Sequence, residues 1–166
     1  MKFSLIVAVG ENNEIGKNND LLWHLPRDMK FFRETTTGHI VVMGRKNWES
    51  IPEKFRPLRD RQNIMLTRNN SYEAKGAEVI SSFSDIKAVI KDDSRTCFII
   101  GGSQIYDLAL EDGSVSEMYI THVHQSFDAD TYFPEIDLSK WESETILSHE
   151  KDDKNPHSFT IKRYWK

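Results

Sequence analysis

The sequence predicts an α/β domain built on a largely parallel sheet with helices on both faces. Three observations predict it. Apolar, β-branched runs recur along the chain, helical patterns fall between most of them, and glycine turns follow directly on two of the runs. At 166 residues the chain has the size of one domain, residues 1–166, with a single sizeable core.

Each element has a local reason. Residues 3–9 are almost wholly apolar, as in a strand buried on both faces. An irregular stretch at 10–23 follows. Pro26 then opens a helix over 26–35, because a missing N–H is no loss in a first turn. Ile40-Val-Val-Met43 is a second buried strand, and Gly44 turns it into a helix over 45–50. Residues 52–61 are irregular. Strands are expected at 63–67, 78–80 and 97–100, with helices at 84–91 and 103–110. No helix separates the runs at 118–124 and 158–165, and Thr160-Ile-Lys-Arg-Tyr-Trp165 alternates, so these two should pair antiparallel and make the sheet mixed. Residues 127–140 form a third irregular stretch; loops of such length in a small domain are more often functional than idle.

Composition excludes several classes. Apolar residues make up 38% and charged residues 29% with both signs dispersed, which fits a soluble globular chain and not a disordered one. No apolar run approaches the length of a membrane span, and the start Met-Lys-Phe-Ser-Leu-Ile-Val lacks a signal-peptide cleavage pattern. One cysteine, Cys97, rules out an internal disulfide and fits a reducing cytoplasm; inside Cys97-Phe-Ile-Ile100 it reads as a buried strand thiol. A net charge of −4 argues against general nucleic-acid binding. Between Arg45 and Arg68, however, seven cations stand against three acids, so this segment is +4 and the remainder −8. Such a cluster is either a solvated loop or a site for a small polyanion.

Asp28 is a lone carboxylate in the largely apolar run from Trp23 to Phe32, sharing a helix face with Phe31 and Phe32. It either caps the helix or is held among aromatics to bind a cationic, donor-bearing ligand. Three strand ends add to this. Gly44-Arg45-Lys46-Asn47, Thr67-Arg68 and Gly101-Gly102-Ser103-Gln104 each follow an apolar run. In a parallel sheet, ligands lie beyond the carboxyl ends of strands, and helix N-termini offer free N–H groups to phosphate. Cations in a helix's first turn oppose its dipole unless an anion sits between. The pattern is neither G-x-G-x-x-G nor a P-loop. Arg45 and Arg68 offer planar forks for a terminal phosphate, favouring a 2′-phosphorylated dinucleotide over NAD, whose ribose reader is normally an acid.

The ordered stretches Ile15-Gly16, Leu21-Leu-Trp-His-Leu-Pro-Arg-Asp28, Val42-Met-Gly-Arg-Lys-Asn-Trp-Glu-Ser-Ile51, Arg56-Pro-Leu-Arg-Asp-Arg61, Ile100-Gly-Gly-Ser-Gln-Ile-Tyr106, Tyr119-Ile-Thr121 and Asp130-Thr-Tyr-Phe-Pro134 resemble dihydrofolate reductase over nearly the whole chain. The resemblance implies a central eight-stranded, mostly parallel mixed sheet with about four flanking helices. It implies NADPH-dependent reduction of 7,8-dihydrofolate to tetrahydrofolate, supporting one-carbon, thymidylate and purine synthesis, and binding of antifolate inhibitors. By position, Asp28 accepts two pterin donors side by side, Thr121 bridges to it, and a water near Trp23 and Leu21 delivers the proton to N5. An apolar pocket would raise the Asp28 pKa.

Further roles follow from the same resemblance. Ile6, Met29, Phe32 and Ile51 would line the pterin and aminobenzoyl slot, and Arg61 would pair with the substrate's α-carboxylate. Ala8 and Ile15 would contact the nicotinamide, and Gly16 would also bind the cofactor. Gly101, Gly102, Ser103 and Gln104 would form the pyrophosphate turn, with a cis peptide at Gly101-Gly102, and Ile100, Ile105 and Tyr106 would also bind the cofactor. Arg45 and Arg68 would hold the 2′-phosphate beside Gly44, Lys46, Asn47 and Thr67, and the 10–23 loop would close over the nicotinamide. Leu22 stands where the family usually has proline, and Asp60 where a turn glycine is common. A related NADPH reductase of riboflavin synthesis and a non-catalytic folate- or nucleotide-binding protein are the alternatives. His122-x-His124 and Trp141 read as structural, Lys151-Asp-Asp-Lys154 as a solvated turn, and a monomer without bound metal is expected.

Overall fold

A computed structural model of the chain describes residues 1–90 and 93–166. Its elements in chain order are β1 (Lys2–Val9), β2 (Glu14–Gly16), α1 (Pro26–Thr36), β3 (Ile40–Gly44), α2 (Arg45–Ser50), β4 (Gln62–Leu66), β5 (Ala77–Ile80), α3 (Ile86–Val89), β6 (Thr96–Gly101), α4 (Ser103–Asp112), β7 (Val115–Val123), β8 (Thr131–Tyr132), β9 (Glu142–His149) and β10 (Phe159–Trp165). Eight strands form one sheet in the order β5-β4-β3-β6-β1-β7-β10-β9. Pairing is parallel from β5 to β7 and antiparallel on both sides of β10. The eight-stranded mixed sheet with four helices is thus the one the sequence implied.

Alternation along the central strands distributes side chains between two cores, because successive residues face opposite sides of a pleated strand. In β3, Ile40 and Val42 join one cluster with Ile86 of α3 and Ile105, Tyr106 and Ala109 of α4. Val41 and Met43 join the other, with Trp48 of α2 and the half-buried Phe31 and Phe32 of α1. Helices therefore cover both faces, as all-parallel strands require. A third cluster (Leu25, Val123, Phe159 and Ile161) supports Trp23 and Phe127.

Several local expectations needed correction. The 10–23 and 127–140 stretches are not wholly irregular: β2 and β8 pair antiparallel within them. Asn13, Asn18 and Asn19 hold left-handed backbone in the first, which asparagine tolerates better than most residues. The helix expected at 84–91 is a 3₁₀ turn, Phe83–Asp85, running into α3; its expected last residue, Lys91, lies outside the described residues. Strand β9 has no apolar run to announce it, since it is an edge strand whose side chains are mostly exposed. The polar 151–154 turn leads into a buried Asn155, whose side-chain oxygen accepts from the Arg27 N–H and so caps α1 from a distance (3.0 Å).

Candidate functional site

The carboxyl ends of β1, β3, β4, β5 and β6 open onto one cleft of about 2230 Å³, walled on the other side by α1 and the 10–23 loop. Sites for a single small ligand run to roughly 1,000 Å³, so the cleft has room for two ligands end to end. Every site residue singled out in the sequence lines it: Asp28, Trp23, Leu21 and Thr121; Ile6, Met29, Phe32, Ile51 and Arg61; and the cofactor set from Ala8, Ile15 and Gly16 through Gly44–Asn47, Thr67 and Arg68 to Ile100–Tyr106.

Asp28 stands in the first turn of α1 but does not cap it, because no side-chain cap bond forms there. Its Oδ1 instead accepts a 2.7 Å hydrogen bond from the Thr121 hydroxyl. Parallel pairing seats Thr121 beside Ala8, so β7 delivers the hydroxyl and α1 the carboxylate to the same end of the sheet. Burial pushes the Asp28 carboxyl above its ordinary value, and the Thr121 bond offsets only part of this. Around it, apolar side chains are left uncovered: Leu21 is 65% and Met29 48% exposed, both toward the cleft. Unburied apolar surface against a lone carboxylate suits a flat ring that presents donors at one edge.

Arg61 closes the outer end. Its Nε donates to the Arg59 carbonyl (2.9 Å) and Nη1 to the Thr36 hydroxyl (3.1 Å), with the guanidinium 5.9 Å from the centre of the Phe32 ring. Burial lowers its pKa, Asp60 acts in the opposite sense, and Arg33 adds to the lowering. Asp60 holds the turn with φ 59°, the left-handed geometry that a glycine would otherwise supply.

The other half of the cleft is built for phosphate. α4 begins after Gly102 without a side-chain cap, leaving first-turn N–H groups free. The Gly101-Gly102 peptide is cis, and Gly101 has φ 128°. A Cβ at Gly101 would lie 2.6 Å from Asn47 Nδ2, which itself donates to the Ile100 carbonyl (3.0 Å). The buried Tyr106 hydroxyl lies 2.9 Å from both the Ile6 and Ile100 carbonyls, tying β1 to β6, so Asn47 and Tyr106 fix the turn's shape. Gly44 admits Ile105, which would meet a Cβ there at 2.9 Å. Lys46 and Arg68 are exposed along this wall. Arg45 pairs with Glu49 (2.6 Å) and packs over Tyr72 at 4.7 Å. The free N–H groups, side-chain-free turn and cations fit a phosphorylated dinucleotide.

The cleft also contains residues the sequence reading missed. Ser81, Ser82 and Phe83 follow β5, a fourth carboxyl end that the same strand-end rule would have found. Leu58 and Phe55, from the 52–61 stretch, line the apolar slot without any periodic signal. Cys97 is buried, its thiol pushed up to about 12 by that burial, which fits the structural reading. His122 Nε2 is 2.9 Å from the Tyr164 hydroxyl, a structural pairing. Among the described residues no group of three His, Cys, Asp or Glu could hold a metal ion, and no helix is long and apolar enough to cross a membrane.

Sheet and cleft together define a dinucleotide-dependent α/β enzyme with a second slot for a planar, donor-bearing ring. Comparison with known proteins narrows the class. The dihydrofolate reductase family profile matches residues 2–166. The chain is 39% identical to dihydrofolate reductase of Bacillus subtilis strain 168 over 163 residues, covering 98% of this chain and 94% of that one. It is 38% identical to the Staphylococcus haemolyticus dihydrofolate reductase, with 99% and 95% covered. Dihydrofolate reductase from Enterococcus faecalis, solved with NADP(H) and RAB-propyl, superposes with a TM-score of 0.88 at 36% identity, over 99% of this chain and 95% of that one. The chain belongs to the dihydrofolate reductase family, the NADPH-dependent oxidoreductases that convert 7,8-dihydrofolate to tetrahydrofolate.

Proposed function

We propose that this chain reduces 7,8-dihydrofolate through the Asp28–Thr121 pair at the inner end of the cleft. The observation that carries the reading is that pair itself: a carboxylate with one hydroxyl partner, in an apolar slot, adjoining a phosphate-shaped turn. Asp28 accepts the ring N–H and exocyclic amino group of the pterin, and the Thr121 hydroxyl fixes the carboxylate's orientation. Ile6, Met29, Phe32 and Ile51 hold the ring and the aminobenzoyl group, and Arg61 pairs with the α-carboxylate. Trp23 and Leu21 border the place from which a water gives its proton to N5.

Ala8, Ile15, Gly16 and the Gly101–Tyr106 turn would hold NADPH, which when bound would supply a hydride for the pterin. Arg45, Lys46, Thr67 and Arg68 receive its 2′-phosphate, with Gly44 and Asn47 shaping their wall. The protein is a single domain, works as a monomer, and belongs in the cytoplasm; its single buried thiol fits a reducing compartment.

The test is oxidation of NADPH in the presence of dihydrofolate, run beside NADH and an Asp28→Asn variant. The expected result is turnover that prefers NADPH and falls on the order of 10²-fold or more in the variant, because ring orientation is lost. Tight binding of both ligands without turnover would instead identify a binding protein that does no chemistry.

A further inference from the structure

Glu14 is the one charged side chain among the largest fully buried residues described, at 1% exposed, and the site as described gives it no task. Its Oε1 accepts from the Asn12 N–H and its Oε2 from the Phe127 N–H, both at 2.5 Å. Two N–H donors converge on two acceptor oxygens, a demand that a carboxylate meets and an amide does not. Space for it comes from Gly10, where a Cβ would lie 2.9 Å from the carboxyl carbon.

The two groups it joins belong to two chain segments that pack against each other, the 10–23 loop and the stretch around Phe127. Asn12 is in the 10–23 loop, whose next residues after Glu14, Ile15 and Gly16, line the cleft. Phe127 is in the facing segment, and its ring packs 4.9 Å from that of Trp23. Outer hydrogen bonds run parallel to this link: Glu11 N–H to the Gln125 carbonyl (3.1 Å), Phe133 N–H to the Asn13 carbonyl (2.8 Å) and Asn18 N–H to Asp130 Oδ2 (2.9 Å). Of these links, the Glu14 carboxylate is the one made by a buried side chain.

We propose that Glu14 is a positioning residue for hydride transfer: by joining the Asn12 and Phe127 N–H groups it fixes the loop that carries Ile15, and the Phe127 ring on which Trp23 packs, so that both cleft-lining side chains are held in place. The inference rests on the reading of the site above and assigns it a support remote from the rings. A misplacement of about 1 Å from such a distance is enough to cost on the order of 10²-fold in rate.

The test compares Glu14→Gln with Gly10→Ala. Glutamine keeps the volume but turns an amide N–H toward a backbone N–H. Alanine at position 10, where the backbone φ is not positive, keeps every hydrogen-bonding group and presses a Cβ onto the carboxylate. Each variant should lower kcat about tenfold and raise the KM for NADPH at least threefold. In the ligand-free protein, amide hydrogen exchange over 10–16 and 125–128 should quicken about tenfold. In a Glu14→Ala background, Gly10→Ala should add less than a twofold change, since the group it displaces is gone. Should Glu14→Gln not fold, Gly10→Ala carries the test alone. A fall in Tm with kcat, KM and loop exchange all within twofold of the parent would overturn the proposal and leave Glu14 a packing residue. Turnover by the unaltered protein tests the site; the ratio of variant to parent tests Glu14.

Discussion

Asp28 sits between two opposed pressures, burial that favours its neutral form and a Thr121 hydroxyl that favours the carboxylate, and burial prevails. The sign of the consequence follows from linkage. A carboxyl whose pKa is raised on folding binds more protons in the native state, so its contribution to stability is greatest below the ordinary carboxylate pKa. It falls as pH rises through the interval up to the raised value, then levels off. Asp28→Asn should abolish that slope in the ligand-free protein and raise Tm at neutral pH by a few degrees, read by thermal melts across pH. Activity should also show an alkaline decline, centred above the ordinary carboxylate pKa, that the variant's residual activity lacks. At this scale the sequence was partly legible. Asp28 stood out because it interrupts an apolar run, whereas its partner lies 93 positions away and came into view only through family resemblance. Glu14 gave no such sign, because in a polar, asparagine-rich stretch nothing separates a buried glutamate from an exposed one.

Elements were legible wherever burial imposes a pattern. Strands buried on both faces and the glycine turns that follow them stood out, since a parallel sheet leaves its central strands almost no polar residues. Edge strand β9 and the short β2–β8 pair did not, since exposed or very short strands leave hydropathy nearly random. The β6–α4 turn shows how sharply one element can constrain neighbouring residues. Gly101 has φ 128° and no room for a Cβ beside Asn47, whereas Gly102 has φ −82° and nothing within 4 Å of a Cβ. Gly101→Ala should therefore destabilise the protein by more than about 1 kcal/mol and weaken NADPH binding at least tenfold. Gly102→Ala should cost less than half as much in stability. Denaturant melts and tryptophan quenching by NADPH measure the two effects, and equal stability losses in the two variants would contradict this account of the turn.

Over the whole molecule, charge is divided as the sequence showed: +4 between Arg45 and Arg68, −8 elsewhere. The fold turns that linear imbalance into a spatial one, because Arg45, Lys46, Lys54, Arg59, Arg61 and Arg68 of this segment all line the cleft. A chain whose remaining residues sum to −8 thus gathers a cluster of cations at one opening. The consequence concerns encounter: a phosphorylated ligand is turned and drawn inward before any contact is made, while the acidic remainder discourages unproductive collisions. In stopped-flow mixing, the association rate of NADPH should fall about tenfold as salt rises from 0.01 to 1 M and the Debye length shrinks from about 30 to 3 Å. That of NADH, lacking the 2′-phosphate, should fall less. The preference between the two nucleotides would then be exercised first in how often each is captured, ahead of how tightly each is held.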